Sequence, residues 1–317
     1  METIETLGHG ITRIDADYVR PALDAFYLLV ENGRAAFIDT GTSHAVPRAL
    51  EALARQGLTP DDVDYVMPTH VHLDHGGGAG ALMAACQNAK LVVHPRGAGH
   101  LIDPTRLIAG STEVYGADEM ARLFGEIVPV PEARVIRSED GMEVELAGRP
   151  LRLLHTEGHA LHHYCVWDAA SRGIFSGDTF GIAYRELDTA RGAFIFATTT
   201  PTQLDPAAWL DTVDRLMALG PESVYLAHFG RVGDLARLAD DLRTDLRAVR
   251  DLALAHAASD APRAAIRADL AAHFLARLEA HGVAMPRDEL LEFLAMDLDL
   301  NSQGLAVWLG RQAREKV

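Results

Sequence analysis

Residues 69–78, Thr-His-Val-His-Leu-Asp-His-Gly-Gly-Gly, constrain this chain more than any other stretch. The segment follows an apolar, strand-like run at 63–67 and precedes a helix-forming run at 79–86. The three glycines at its end let the backbone pass close to a site without a Cβ in the way. Such a segment is typical of a loop that carries ligands from the end of a strand into a helix.

The side chains of this segment suit two metal ions. In an extended loop alternate residues point the same way, so His70 and His72 can close on one ion. Asp74 and His75 stand where the chain turns into the helix and can face a second ion. Without a metal, four such side chains packed together would repel one another or lie unsatisfied. Imidazole and carboxylate ligands suit Zn²⁺, with iron or manganese as alternatives.

Three later residues fit the same site because each follows a short strand-like run. They are His159 after 151–154, Asp178 after 173–176 and His228 after 224–226. A sandwich of sheets presents the ends of its strands at a shared edge, so we expect these side chains to meet there. A carboxylate has two oxygens and can bridge two cations, and we assign that role to Asp178.

Composition narrows the choice of partners. The formal net charge is -16, from 29 Lys and Arg against 45 Asp and Glu. Such a field repels phosphate backbones, so we expect no nucleic-acid partner. Only two cysteines occur, which excludes a disulfide framework. No run approaches the roughly 20 apolar residues that span a bilayer, and the N-terminus lacks the pattern of a secretion signal. We therefore expect a cytoplasmic protein without a membrane partner.

The order of these motifs resembles that of the metallo-β-lactamase superfamily. His-x-His-x-Asp-His, then Gly-His, then Gly-Asp and a late strand-end His follow one another across residues 20–230. The resemblance implies an α/β protein, an αββα sandwich with the metal ions at one edge of its sheets. Asp39 resembles the first aspartate of the family, which supports the ligands through hydrogen bonds and does not bind the metal itself.

The chain divides at about residue 233. We predict a catalytic domain over 1–232 and a helical extension packed on it over 233–317, because the apolar residues after 234 recur at helical intervals. The stripes of this tail suit packing on the sandwich, a cap over the pocket or a homodimer contact. Prolines 95, 104, 129 and 131 break 96–130 into loop and short helix, which suits a flap beside a site.

These residues predict a hydrolase of small substrates. Two cations that share a water lower its pKa from about 15.7 towards about 7, so a bridging hydroxide can attack an acyl carbon. Asp74 is assigned to take up the proton or to orient the nucleophile, and Asp178 to bridge the ions. The predicted substrate carries an ester, a lactone or a thioester.

The substrate pocket is less well defined by the sequence. Phe180, Tyr184 and Phe196 lie in an apolar stretch after Asp178, which suits either a pocket for an acyl chain or a packed hairpin under the tail. His163 is a further pocket candidate, because in the family the loop after the Gly-His ligand lies near the site. Acyl-homoserine lactonases of the superfamily have a tyrosine close after the bridging aspartate, where this chain has glycine.

Two other functions remain open at this point. Persulfide dioxygenases keep the histidine cluster and use one iron, so an iron-dependent oxidoreductase is one alternative. A non-catalytic metal-binding sensor on the same fold is the other. Flavodiiron oxygen reductases resemble the fold but carry glutamate where His72 stands, which argues against them. Hydroxyacylglutathione hydrolases share the Gly-Asp-Thr motif, although their basic glutathione-holding residues have no match in this tail.

Overall fold

The computed structural model describes residues 2–199 and 203–315, without the side chains of Val114 and Glu315. The described chain forms two compact units. The first unit contains 2–156, 162–177 and 221–233, and the second contains 157–161, 178–199, 203–220 and 234–315. The helical tail therefore clusters with 157–161, 178–199 and 203–220, and the domain boundary near 233 stays a prediction.

All the described strands belong to the first unit, where they form two mixed sheets. The strands of the first sheet, in chain order, are Ile4–Gly8 (β1), Ile11–Asp15 (β2), Ala25–Glu31 (β3), Arg34–Ile38 (β4), Val63–Met67 (β5), Lys90–Val93 (β6) and Val135–Arg137 (β7). They pair in sequence order, antiparallel from β1 to β4 and parallel from β4 to β7. The sequence did not reveal β1, β2 or β6.

The strands of the second sheet are Glu143–Leu146 (β8), Arg149–His155 (β9), Tyr164–Asp168 (β10), Gly173–Gly177 (β11), Ser223–Leu226 (β12) and Gly230–Val232 (β13). They are ordered β13-β12-β11-β10-β9-β8, and within the described part of this second sheet only the β11–β12 pair is parallel. Side chains from both sheets share one buried core, in which Tyr27 contacts the rings of Phe175 and Tyr225. This shared core makes the two sheets a sandwich.

The helices of the first unit follow its parallel strands. They are Val46–Arg55 (α1), Leu73–Gly76 (α2), Ala79–Ala85 (α3), Pro95–Ile102 (α4), Thr105–Tyr115 (α5) and Ala117–Phe124 (α6). The region 96–130 holds more helix than we expected from its prolines. Pro95 opens α4, because the first turn of a helix does not need the N–H that proline lacks, and Pro104 stands just before α5.

The ends of the strands deliver the predicted site residues. Asp39 follows β4 directly, and the segment that contains His70 follows the parallel neighbour β5. His228 comes two residues after β12, which is the parallel neighbour of β11. Because parallel strands end at the same edge of a sheet, each sheet presents candidate ligands at one edge.

The second unit is helical. Its helices are Pro206–Met217 (α7), Leu235–Ala255 (α8), Pro262–His281 (α9), Arg287–Phe293 (α10) and Ala295–Glu315 (α11). The predicted helical stripes are thus confirmed as helices α8 to α11. Among residues 2–199 and 203–315, none of the helices combines the length and apolar character needed to cross a membrane.

The start of α7 offers a test of local stability. Asp205 is its N-cap, and its Oδ1 accepts hydrogen bonds from the backbone N–H groups of Ala207 at 3.0 Å and Ala208 at 3.1 Å. We expect Asp205→Ala to lower the free energy of unfolding by about 1 kcal/mol, because two helix N–H groups lose their acceptor. Urea unfolding measures this change. Asp205→Asn should retain most of the stability, and an alanine variant as stable as the wild type would contradict the capping role.

Candidate metal centre

The loop after β5 places two imidazoles side by side. Nε2 of His70 lies 2.8 Å from Nδ1 of His72, and the ring centroids are 4.4 Å apart. The His70 side chain is fully buried, and its Nδ1 lies 3.1 Å from the Thr69 hydroxyl. The two facing nitrogens can direct their lone pairs to one cation, as the alternation along the loop predicts.

A second set of candidate ligands gathers around Asp74. One ligand atom each from Asp74, His75 and His228 lies within 4.8 Å of the other two. Nε2 of His75 is 3.6 Å and Nε2 of His228 is 3.7 Å from the same carboxylate oxygen, Oδ2 of Asp74. The Asp74 side chain is 23% exposed, whereas those of His75 and His228 are 0% and 6% exposed. Asp74 is therefore the member of this set that solvent can reach.

The orientation of these two imidazoles is fixed by their other nitrogen. Nδ1 of His75 donates to Oδ2 of Asp39 at 3.2 Å, and Nδ1 of His228 donates to the carbonyl of Leu23 at 2.8 Å. A carbonyl oxygen can only accept, so Nδ1 of His228 carries the hydrogen. In both rings Nε2 then bears the lone pair and faces Asp74. Metal-binding histidines in proteins are held in this way.

The second unit repeats this arrangement with His159 and Asp178. Nδ1 of His159 donates to the carbonyl of Thr198 at 3.1 Å, and Nε2 lies 3.3 Å from Oδ2 of Asp178. The side chains of His159 and Asp178 are 0% and 4% exposed. Without a proton or a cation between them, the Nε2 lone pair and the carboxylate oxygen would repel each other. A cation bound by both atoms would remove this repulsion and stabilise the buried pair.

Glycine is required next to His159. Gly158 has φ +127°, and a Cβ there would lie 2.4 Å from the Cα of Trp209. Trp209 in turn donates from its indole N–H to the carbonyl of Thr179, the residue after Asp178. The close approach of α7 to the Gly-His turn therefore explains why this ligand sits in a Gly-His pair.

Asp39 contacts both the start of the ligand loop and one imidazole of the second set. Its Oδ1 accepts from the backbone N–H of Thr69 at 2.7 Å and from the Thr69 hydroxyl at 2.9 Å. Its Oδ2 accepts from His75. These contacts fix the start of the loop and the tautomer of His75, which is the supporting role that the resemblance implied for Asp39.

One carboxyl near these ligands was missed by sequence reasoning. Asp24 immediately precedes β3 and is 1% exposed, and none of the described residues hydrogen-bonds its Oδ2. The pKa of Asp24 is raised to about 8, mainly by burial; His228 and His75 act to lower it, and the Asp74 and Asp39 carboxylates act to raise it. Asp24 is thus a further buried carboxyl close to the Asp74 set. Its only sequence signal is an acidic residue at the start of a buried strand.

Besides burial, the charge of Asp74 also raises the pKa of two tyrosines. Burial raises the pKa of Tyr115 to about 12, and burial together with Asp74 raises that of Tyr18. Both rings pack on Phe124 of α6, with centroid distances of 5.3 Å and 5.6 Å. The helices of the 96–130 region therefore bring an aromatic cluster towards the Asp74 side of the first unit.

The predicted pocket residues are all buried. His163 lies in the first unit, with its Nδ1 2.8 Å from the Thr156 hydroxyl and its ring 4.9 Å from that of His70. In the second unit Tyr184 contacts the rings of Phe196 and Phe293 and donates its hydroxyl to Asp297. Phe180 is fully buried in the same unit. Tyr184 and Phe196 thus have ring contacts in the second unit, and the place of all three aromatic residues in a pocket stays a prediction.

Comparison with known proteins identifies the family. A sequence model of the metallo-beta-lactamase superfamily matches residues 24–228. This chain belongs to that superfamily, and its fold is the α/β fold of the family with helices at its C-terminal end. The prediction of the fold class is confirmed.

Individual relatives show how far the similarity extends. The metallo-beta-lactamase fold-containing protein ST1585 of Sulfurisphaera tokodaii is 26% identical over 226 residues, covering 70% of this chain and 79% of the relative. Its crystal structure aligns with a TM-score of 0.62 at 25% identity over 76% of this chain and 86% of that one. A hydroxyacylglutathione hydrolase of Acidiphilium cryptum is 27% identical over 239 residues, covering 75% of this chain and 74% of the relative.

A further solved structure resembles almost the whole chain. The metallo-beta-lactamase family protein TTHA1429 from Thermus thermophilus aligns with a TM-score of 0.66 over 97% of this chain and 95% of that one. The sequence identity is 21%, so this similarity concerns the fold. The similarity in fold therefore includes parts of this chain that lie outside residues 24–228.

Proposed function

We propose that this protein is a dinuclear metal-dependent hydrolase that cleaves an ester, a lactone or a thioester of a small substrate. The observation that carries the proposal is shared by His75, His159 and His228. Each is buried, each donates from Nδ1 to an oxygen, and each turns Nε2 towards a carboxylate. Membership of the superfamily and similarity to a hydroxyacylglutathione hydrolase support the same function.

We assign the ligands to two ions. His70 and His72 would hold the first, and Asp74, His75 and His228 the second. On the order of the sequence motifs we assign His159 and Asp178 to the same pair of ions, with Asp178 as the bridge. The donor set of imidazoles and carboxylates suits Zn²⁺, with iron or manganese as alternatives. Two bound cations would supply a water acidic enough to act as a nucleophile at neutral pH.

The residues of the chain then have separable roles. Asp74 combines solvent access with a position 3.6 Å and 3.7 Å from two buried imidazoles, so it is the carboxylate placed to take up the proton of the attacking water. Asp39 and the carbonyl of Leu23 hold the imidazoles of His75 and His228 in one tautomer. A small-molecule partner, a homodimer and a cytoplasmic location stay predictions from the sequence.

Metal analysis combined with a substrate panel tests the proposal. We expect about two metal ions per chain and hydrolysis of at least one ester, lactone or thioester. Chelation should abolish this activity and added zinc should restore it. One iron per chain with oxygen uptake on a persulfide would instead support a dioxygenase. Bound metal without turnover of any substrate in the panel would support a sensor.

A further inference from the structure

The backbone carbonyl of Thr198, which orients His159, belongs to the segment 197–199. Side chains from two helices of the C-terminal tail hydrogen-bond to this segment. We propose that Asn301, on α11, is a positioning residue that fixes the Thr198 carbonyl and through it the tautomer of His159. The inference rests on the proposed metal-binding role of His159, which it extends to a residue outside the segment that the family model matches.

The side chain of Asn301 hydrogen-bonds to the backbone on both sides of Thr198. Its Oδ1 accepts from the backbone N–H of Thr199 at 2.7 Å, and its Nδ2 donates to the carbonyl of Ala197 at 3.3 Å. The backbone carbonyl of Asn301 also accepts from the Thr199 hydroxyl at 3.1 Å. Asn301 is 2% exposed, so these bonds do not compete with bulk water. The amide thus pairs with this segment as a neighbouring strand would.

A second tail helix holds the same segment from the other direction. Oδ2 of Asp245, on α8, accepts from the backbone N–H of Ala197 at 2.8 Å. The Asp245 carboxylate is fully buried and is itself held at Oδ1 by His273 at 2.6 Å and Arg277 at 2.5 Å. The N–H groups at 197 and 199 are therefore both fixed by side chains, which leaves the carbonyl of Thr198 with a defined direction.

The direction of that carbonyl decides which nitrogen of His159 can bind a metal. Because a carbonyl only accepts, its 3.1 Å contact requires the hydrogen on Nδ1, and Nε2 then bears the lone pair 3.3 Å from Asp178. If the carbonyl turned away, the hydrogen could move to Nε2 and block the ligand position. Partners of this kind tune both the orientation and the affinity of a histidine ligand.

The neighbouring residue on α11 provides a matched control. Ser302 is also fully buried, but its hydroxyl donates to the carbonyl of Asp299 within the same helix and not to the 197–199 segment. Asn301→Ala removes both side-chain bonds to that segment, whereas Ser302→Ala removes a buried bond of similar kind elsewhere. A general loss of stability would affect both variants, and a loss of positioning would affect only the first.

The experiment measures the His159 tautomer by nitrogen-15 NMR in metal-free protein, and zinc affinity by competition with a chromophoric chelator. In the wild type and in Ser302→Ala we expect a hydrogen on Nδ1. In Asn301→Ala we expect a mixture of tautomers and about 10- to 100-fold weaker binding of one zinc ion. If Asn301→Ala does not fold, Asn301→Asp replaces it. Aspartate keeps an acceptor for Thr199 but sets an oxygen against the carbonyl of Ala197.

Two results would overturn the inference. One is a wild-type His159 that carries no hydrogen on Nδ1. The other is an Asn301 variant with the wild-type tautomer and zinc affinity. A wild-type chain that binds no zinc would defeat the proposed function instead, and the tautomer comparison in metal-free protein would still decide the role of Asn301.

Discussion

Asp178→Ala is expected to lower turnover by about 10³-fold and to reduce bound metal to one ion per chain or less. A bridging carboxylate contributes to both ions, and loss of about 4 kcal/mol of transition-state stabilisation corresponds to a change of this size. The removed group is a buried carboxylate whose Oδ2 lies 3.3 Å from Nε2 of His159. Steady-state kinetics on the best substrate of the panel, with metal analysis of the same samples, measures both effects.

Two further variants sharpen this prediction. Asp178→Asn keeps the size of the side chain and one acceptor oxygen, so it should retain more metal than alanine while losing most of the turnover. Asp188→Ala removes a carboxylate of the same unit that pairs with Arg185 at 3.3 Å and is one-third exposed, and it should leave both measurements unchanged. Full activity of Asp178→Ala would disprove the bridging assignment.

Asp39→Asn is expected to weaken binding of the second ion by about 10- to 100-fold. An asparagine offers one oxygen and one N–H₂ group where the aspartate now accepts from Thr69 on Oδ1 and from His75 and the Thr69 hydroxyl on Oδ2. With its oxygen towards Thr69, the amide would set a donor against Nδ1 of His75. His75 would then move its hydrogen to Nε2, where it blocks the ligand position that faces Asp74.

A surface aspartate gives the matched control for Asp39. Oδ2 of Asp62 accepts from the backbone N–H and the hydroxyl of Thr59, each at 2.8 Å. Asp62 therefore makes the same pair of bonds to a threonine as Asp39 does, but at a far less buried position. Asp62→Asn should bind two zinc ions as the wild type does. Titration of metal-free protein with zinc distinguishes the two sites, and unchanged affinity in Asp39→Asn would contradict the role of Asp39.

The ligand loop was predictable because its signals are local. The apolar run at 63–67 is β5, and the residues after it enter α2 at Leu73, as the change of pattern predicted. Alternation of side chains along an extended segment is a property of the backbone alone, so the pairing of His70 with His72 follows from sequence. His159, Asp178 and His228 were further candidates because each follows a short strand-like run, and the resemblance to the family agreed with this choice.

Other features depend on contacts between distant parts of the chain. Asn301 lies 102 residues after Thr199, and nothing in its helical surroundings marks it as different from other polar residues of α11. Asp24 is unusual only because the fold buries it near other carboxylates. The helices of 96–130 were underestimated because a proline that starts a helix and a proline that ends one look alike in a single sequence.

The apolar stretch after Asp178 shows why the substrate is harder to predict than the metal site. The sequence positions of Phe180, Tyr184 and Phe196 suited both a pocket and a packed hairpin. The structure shows one antiparallel backbone pair in this stretch, between Ile182 and Phe196. Ligand chemistry is restricted to a few residue types, whereas an apolar pocket and an apolar core use the same ones. Metal ligands are therefore predicted by residue type, and substrates are not.

The central claim is that imidazoles and carboxylates from distant parts of this chain converge on two cations. Anomalous diffraction at the zinc edge, from crystals of zinc-loaded protein, tests it most directly. We predict two peaks about 3.5–4 Å apart, each about 2.0–2.2 Å from the assigned nitrogen and oxygen atoms, with Asp178 touching both. A map with no peak at His70, His75, His159 and His228, or with zinc held by other residues, would contradict the account.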